Sequence, residues 1–292
     1  SRVREAALHA AVDFLVSDEL PQRDSDWDTD YVWAELYGFV ACVELSGKAA
    51  RLSPERAARL LTRGRELQER LARHQALGGG FGYYDDPPYD RRGTWATSFA
   101  TALVLPSLRA AQERGWGGDP SLCDRGLRYV QRCALPSGAF EYDLGAVVRL
   151  GGVEHINRIE GSLGRTQVCN WALSTCGDRR RTPEVLRAGL SAFLEHHGFL
   201  DHVRTRPIPH EGFHANAGYF YFFGHYYAAL VIELLPQAER ASWHERLRPH
   251  LMKTLWTNGL TSDFLDANYM IVSSTSFLIL ALAAGLDDEA GR

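Results

Sequence analysis

The chain has 292 residues, 45% of them apolar and 23% charged, with a formal charge of −4, the profile of an ordinary globular protein with room for one large or two average domains. With a pI near 6.3 and no basic tail or single-sign block, nothing favours nucleic acid or an anionic membrane as partner. No transmembrane segment is expected either, since the richest apolar run, residues 219–235, is interrupted by His225 and Glu233, short of the ~18–20 uncharged residues a span requires.

Along the chain, a polar turn near residues 20–27 leads into an apolar stretch at 31–45. From there a pattern repeats. Residues 53–76, 120–134, 182–197 and 241–256 carry apolar positions three and four apart with Arg and Glu between them, as helices with one wet face do. Ser53-Pro54-Glu55 and Thr182-Pro183-Glu184 give two of them a cap residue, Pro at the first helical position and an early acid. Each is followed by a glycine-led turn: Gly80-Phe81-Gly82-Tyr83, Gly138-Ala139-Phe140-Glu141-Tyr142, Gly198-Phe199-Leu200 and Gly259-Leu260, with first glycines 58, 60 and 61 residues apart. After each turn comes a drier stretch, at 95–108, 166–175, 219–235 and 274–286, apolar nearly all round. Strand signals with period two are almost absent.

Ten helices in alternating wet and dry pairs, none of which can bury its dry member alone, predict an all-α fold: an α/α toroid of about five helical hairpins. The expected organisation is one domain, 1–292, with repeats near 1–50, 51–115, 116–178, 179–237 and 238–292. Open solenoids repeat every ~34–47 residues, shorter than this. Cys42, Cys123, Cys133, Cys169 and Cys176 lack CxxC spacing, so reduced thiols are expected rather than a disulfide scaffold, which favours a cytoplasmic setting.

The segment Gly79-Gly80-Phe81-Gly82-Tyr83, followed by Thr94-Trp95-Ala96-Thr97-Ser98-Phe99-Ala100-Thr101-Ala102-Leu103, resembles the repeat shared by protein prenyltransferase β subunits and squalene or terpene cyclases. The resemblance implies a toroid whose central cavity holds an isoprenoid, and it specifies fold better than chemistry. The Asp-x-Asp-Asp acid of squalene-type cyclases has no counterpart; the nearest acids are the string Asp24, Asp26, Asp28 and Asp30, and the pair Asp85-Asp86. The stretch from Glu160 through Gly164-Arg165 to Cys169 is similar to the prenyltransferase segment that bears zinc ligands. Cys169 matches the ligand Cys, but Gln167 stands where the family has Asp, and an amide is a poor zinc ligand.

Candidate catalytic residues are therefore Asp85, Asp86, Glu160, Arg165, His210, Glu211 and His214, all expected on connections at one rim of the ring. His210-Glu211-Gly212-Phe213-His214 matches the HExxH spelling, but Pro207, Pro209 and Gly212 oppose the helix a zincin needs, so its imidazoles and carboxylate are expected as loop acids and bases. Candidate ligand-binding residues are Tyr83, Tyr84, Trp95 and Cys169 together with Tyr219, Tyr221, Phe222, His225 and Tyr226. Tyr219, Phe222 or Phe223, and Tyr226 are expected on one helix face, where rings suit isoprenoids and cationic intermediates and also stack on sugars. If a metal is bound, zinc on Cys169, His210 or His214 is the candidate. Three readings stay open: a cyclase- or transferase-like enzyme or binder of an apolar ligand, a carbohydrate hydrolase or lyase using pairs such as Glu160 with Glu211 or Asp85, and a non-catalytic scaffold.

Overall fold

The computed structural model describes residues 2–17, 31–85, 93–145, 154–207 and 213–286. Among them the architecture is all-α, with eleven α-helices, short 3-10 turns and two isolated bridges but no strand. Internal contacts divide the chain into two units, 1–132 and 133–292. The polar turn near 20–27 and the acid string Asp24 to Asp30 lie outside the described residues.

In the first unit, α1 (Arg2–Leu15) is largely exposed and lies against α2 (Val32–Ser46) and α3 (Pro54–His74). The expected start of α3 is present: Ser53 Oγ accepts from the Arg56 N–H at 3.3 Å and Pro54 opens the helix. Its buried residues Leu60, Gly64, Leu67 and Leu71 form one stripe, each leucine worth about 1.5–3 kcal/mol on burial. Gly64 is small because Trp116 fills its place; an added Cβ would come within 2.3 Å of that indole. The dry partners α2 and α4 (Ser98–Glu113) pack on each other, and α5 (Ser121–Cys133) closes the unit.

The second unit holds α6 (Leu163–Thr175), α7 (Pro183–Glu195), α8 (His197–Arg204), α9 (Tyr221–Ile232), α10 (Gln237–Met252) and α11 (Ile271–Ala283). Its dry helices α6, α9 and α11 lie side by side, with α7 on α6 and α10 on α9. Gly164 and Gly224 let α6 and α9 approach backbone to backbone, since a Cβ on either would lie 3.1 Å from the other's Cα. Leu186, Leu190 and Phe193 of α7 and Trp243, Leu247 and Leu251 of α10 carry the wet helices' buried stripes. The expectation for the last dry stretch needs correction: α11 buries only Ser274, Leu278 and Ala281, while Val272, Ile279 and Leu280 are exposed, because α9 and α10 cover one side of it.

The glycine turns follow a common construction. Gly79, Gly138 and Gly259 have φ of 97°, 89° and 79°, a backbone that favours glycine, so the structural repeat starts one residue before Gly80 in the first turn. In each, the residue three before the glycine donates to the carbonyl just after it: Ala76 to Gly80, Leu135 to Ala139 and Trp256 to Leu260, all at 2.9 Å. The next N–H is then held by a hydroxyl at the start of a dry helix: Phe81 by Thr101 Oγ1 at 2.8 Å, Phe140 by Ser162 Oγ at 3.2 Å, and Thr261 by Thr275 Oγ1 at 3.1 Å.

The fourth copy breaks the rule. Gly198-Phe199-Leu200 is not a turn; it lies inside α8, and Gly198 has no positive φ. A continuous helix from His197 to Arg204 satisfies the backbone there, so neither the glycine bend nor the hydroxyl is needed.

Candidate functional site

α8 begins two residues after α7 ends, and its residues His197 and Asp201, one turn apart, share a face. The last turn of α10 brings His250 beside them, with the His197 and His250 ring centroids 3.7 Å apart, and Lys253 follows. α9 contributes Tyr221 and His225. Each of α8, α9 and α10 contributes a local pair, His197 with Asp201, Tyr221 with His225 and His250 with Lys253, and tertiary packing brings the three pairs together.

Hydrogen-bond directions constrain its protons. His225 Nδ1 lies 2.7 Å from the Tyr221 carbonyl, which only accepts, so Nδ1 carries hydrogen. Burial, then the neighbouring His197, holds His225 well below the ordinary imidazole pKa, so the ring is neutral and its Nε2 bears a lone pair. His197 Nε2, 2.8 Å away, must then donate to it. That leaves His197 Nδ1 facing Asp201 Oδ2 at 3.1 Å, an arrangement held by a proton or another cation.

Asp201 is surrounded by donors. Burial alone would raise its pKa, but hydrogen bonds from His197 and Lys253, and their charges, outweigh burial and hold the carboxyl below the usual carboxylate range. Lys253 Nζ is 2.5 Å from Oδ2, and the Tyr221 hydroxyl is 3.3 Å from Oδ1. Burial and then the His197 and Lys253 charges push His250 down to about 4, leaving it neutral at neutral pH.

The same face of α9 meets a second polar group. The Arg204 guanidinium covers the Tyr221 ring at 4.8 Å and donates to the Ser262 carbonyl at 2.6 Å. Asp263, 1% exposed, accepts from the Phe222 N–H at 3.0 Å and from the Ser274 hydroxyl. Burial raises its pKa to about 7 despite those donors and Arg204. Counted from the held N–H, Asp263 occupies the place that Tyr83 and Tyr142 take in the other turns.

The residues singled out from sequence divide between the units. In the first, Tyr83, Tyr84 and Trp95 join Trp33, Tyr37 and Phe99 in one cluster: Tyr83 lies 5.2 Å from Trp33 and 5.1 Å from Trp95, and Tyr84 stacks on Trp95 at 5.5 Å. Asp85 is buried at the end of this turn; Asp86 lies outside the described residues, as do His210 and Glu211. The paired-carboxylate reading thus loses Glu211 from view, and Glu160 and Asp85 belong to different units.

In the second unit, Arg165 ties main chain together, donating to the Phe140 and Ile156 carbonyls under the Tyr142 ring. Burial lowers its pKa to about 10, so it remains cationic. Glu160, half-buried just before α6, accepts through its main-chain oxygen from Asn216 at 2.9 Å. His214 and Ala215 have φ of 58° and 56°, which no helical HExxH allows, and the His214 ring packs on Phe199 at 4.8 Å. The resemblance-based zinc site does not fit. Gln167 donates to the Gly189 carbonyl at 3.0 Å, and Cys169 is fully buried in mid-helix. Among the described residues, the one group of His, Cys, Asp and Glu that could hold a metal is His197, Asp201 and His250, without Cys169 or His214.

Of the two alternatives for the aromatic face of α9, Phe223 rather than Phe222 lies with Tyr219 and Tyr226. Tyr221 and Phe222 are fully buried and, with His225, face α8 and α10 rather than the ring-lined side. The rings in series are Tyr219, Phe220, Phe223 and Tyr227, at 4.5, 5.4 and 4.7 Å, joined by Tyr226, Phe277 and Trp171. Tyr219 and Phe220 sit in the 3-10 turn Gly218–Phe220 ahead of α9 rather than within the helix.

No family model and no curated protein sequence matches the chain. Among solved structures it is similar to the type II terpene cyclase MstE from Scytonema, at 14% identity over 96% of this chain and 73% of that one, with a TM-score of 0.48. A variant of the same enzyme in complex with geranylgeranyl dihydroxybenzoate gives 15% identity, 96% and 72% coverage and the same TM-score. Salmonella alpha-2-macroglobulin reacted with methylamine is similar at 14% identity, covering 95% of this chain and 17% of that one, with a TM-score of 0.47. Among the described residues no helix is long and apolar enough to cross a membrane.

Proposed function

We propose that the helical pairs close into an α/α ring and that the protein binds an isoprenoid or comparably long apolar ligand on the rings of its dry helices, as a cyclase- or transferase-like enzyme does. The observation that carries this reading is the run of rings shared by α6, α9 and α11. Phe220, Tyr226, Phe277 and Trp171 are half-buried, packed beside the core with part of each ring accessible to a ligand. Such faces offer dispersion to an apolar chain and electrostatic support to a carbocation. The second cluster, around Trp33, Tyr83 and Trp95, supplies the same surface in the first unit.

The test is titration of the delipidated protein with geranylgeraniol, followed by tryptophan fluorescence. Saturable quenching is expected, weakened about tenfold or more by Tyr226→Ala with Trp171→Ala, which together remove on the order of 1.5–3 kcal/mol of contact. Absence of saturable binding, or binding indifferent to both changes, would sink the reading.

A further inference from the structure

The fourth copy gives up its glycine turn for a helix, and the helix carries chemistry that a turn could not position. His197 and Asp201 are fixed one turn apart on α8, and α10 sets His250 against them. One ligand atom from each of the three lies within 4.8 Å of the others. The His197 Nδ1 to Asp201 Oδ2 separation of 3.1 Å is close to the ~3.3 Å between neighbouring ligands on a tetrahedral ion with bonds of about 2.0–2.1 Å.

The surroundings are those of metal ligands. His197 gives its far N–H to His225, whose own N–H is held by the Tyr221 carbonyl. This relay occupies His197 Nε2 and leaves Nδ1 as the ring nitrogen turned to the Asp201 carboxylate, as outer partners do for ligating histidines. The Tyr221 hydroxyl takes Asp201 Oδ1 and leaves Oδ2 for an ion. His250 completes the set from α10, its ring centroid 3.7 Å from that of His197. A cation already sits at this place: the Lys253 ammonium lies 2.5 Å from Asp201 Oδ2 and 3.4 Å from His250 Nδ1. Its side chain is 45% exposed and that of Asp201 38%, so the ammonium can swing into water and an ion can enter by the same route.

We propose that His197, Asp201 and His250 form a binding site for a divalent transition-metal ion of the zinc type, with Lys253 as an intramolecular competitor that occupies the ion's position in its absence. Two imidazoles and one carboxylate suit zinc and its neighbours in the first transition row rather than calcium or magnesium, and three protein ligands leave a fourth position open to water. The site is independent of any apolar ligand, so its test needs none.

The full chain, stripped with chelator, is titrated with zinc chloride by calorimetry and with cobalt(II) by visible absorption. The expected result is one equivalent bound, with the intense bands of low-symmetry four-coordinate cobalt. Asp201→Asn and His250→Ala should each weaken binding by about tenfold or more, and Lys253→Met should strengthen it by removing the competing charge. Circular dichroism on each variant verifies the fold, and Asp201→Asn keeps the side-chain shape should His250→Ala unfold. Zinc bound equally well by Asp201→Asn and His250→Ala, no binding at all, or Lys253→Met leaving affinity unchanged would each overturn the proposal.

Discussion

The turn at 76–81 and the helix at 197–204 occupy corresponding places in the repeat, yet they solve the same connection differently. The turn spends a left-handed glycine and a helix hydroxyl to satisfy its backbone, and its side chains are rings. The helix satisfies its own backbone, and its side chains are imidazole, carboxylate and guanidinium, drawn into a network with α9 and α10. A repeat fold holds its geometry by redundancy, and the copy that departs from the rule is where unusual polar chemistry gathers.

Substitutions can break this contrast. The largest effect is expected for Gly79→Ala, where φ is 97° and the new Cβ would lie 2.6 Å from the Arg125 carbonyl oxygen; strain and overlap together should cost about 3–5 kcal/mol in urea unfolding. Thr101→Val removes the buried hydroxyl that holds the Phe81 N–H and should cost about 1–3 kcal/mol, more than Thr275→Val, whose hydroxyl is half-buried. Gly138→Ala has a comparable φ but open space around the added carbon, so backbone strain alone should cost about 1–2 kcal/mol.

Asp263 sharpens the comparison through pH. Its folded pKa of about 7 lies above the unfolded value near 3.9, so its contribution is full below that lower value and is lost as pH rises through 7. The stability of wild type relative to Asp263→Asn should therefore grow as pH falls from 8 to 5, by up to about 1.4 kcal/mol per unit; a constant difference would mean that the carboxyl stays ionised. The smallest effect has the opposite sign from the glycine changes in the turns: Gly198→Ala, exposed within α8 with nothing within 4 Å of the new carbon, should stabilise by about 0.4–1 kcal/mol.

Much of the helical framework was legible from spacing. The start of α3 at Pro54 and the extents of α5 and α7 follow from amphipathic periods and cap chemistry, which are local signals, whereas α10 runs from Gln237 to Met252, four residues ahead of the expected 241–256. The fourth copy was misread because Gly198-Phe199-Leu200 spells the turn signature while lacking its partner hydroxyl, and that partner is visible only in three dimensions. The face of α9 stayed open between Phe222 and Phe223 because in a stretch aromatic at nearly every position no period selects a side. His197, Asp201, His250 and Lys253 went unnoticed for a plainer reason: only the His197 and Asp201 spacing of four is a sequence signal, and the rest comes from packing α10 against α8. Asp263 gave no signal of its own, since its burial depends on α9 and α11.

The hydroxyl clasp joins residues 20 positions apart in the first turn, 22 in the second and 14 in the last. Equal anchoring across unequal spans means the intervening stretch can be rewritten, shortened or grafted without retuning the scaffold, so those three segments are where variety among relatives, and a designer's insertions, would be absorbed.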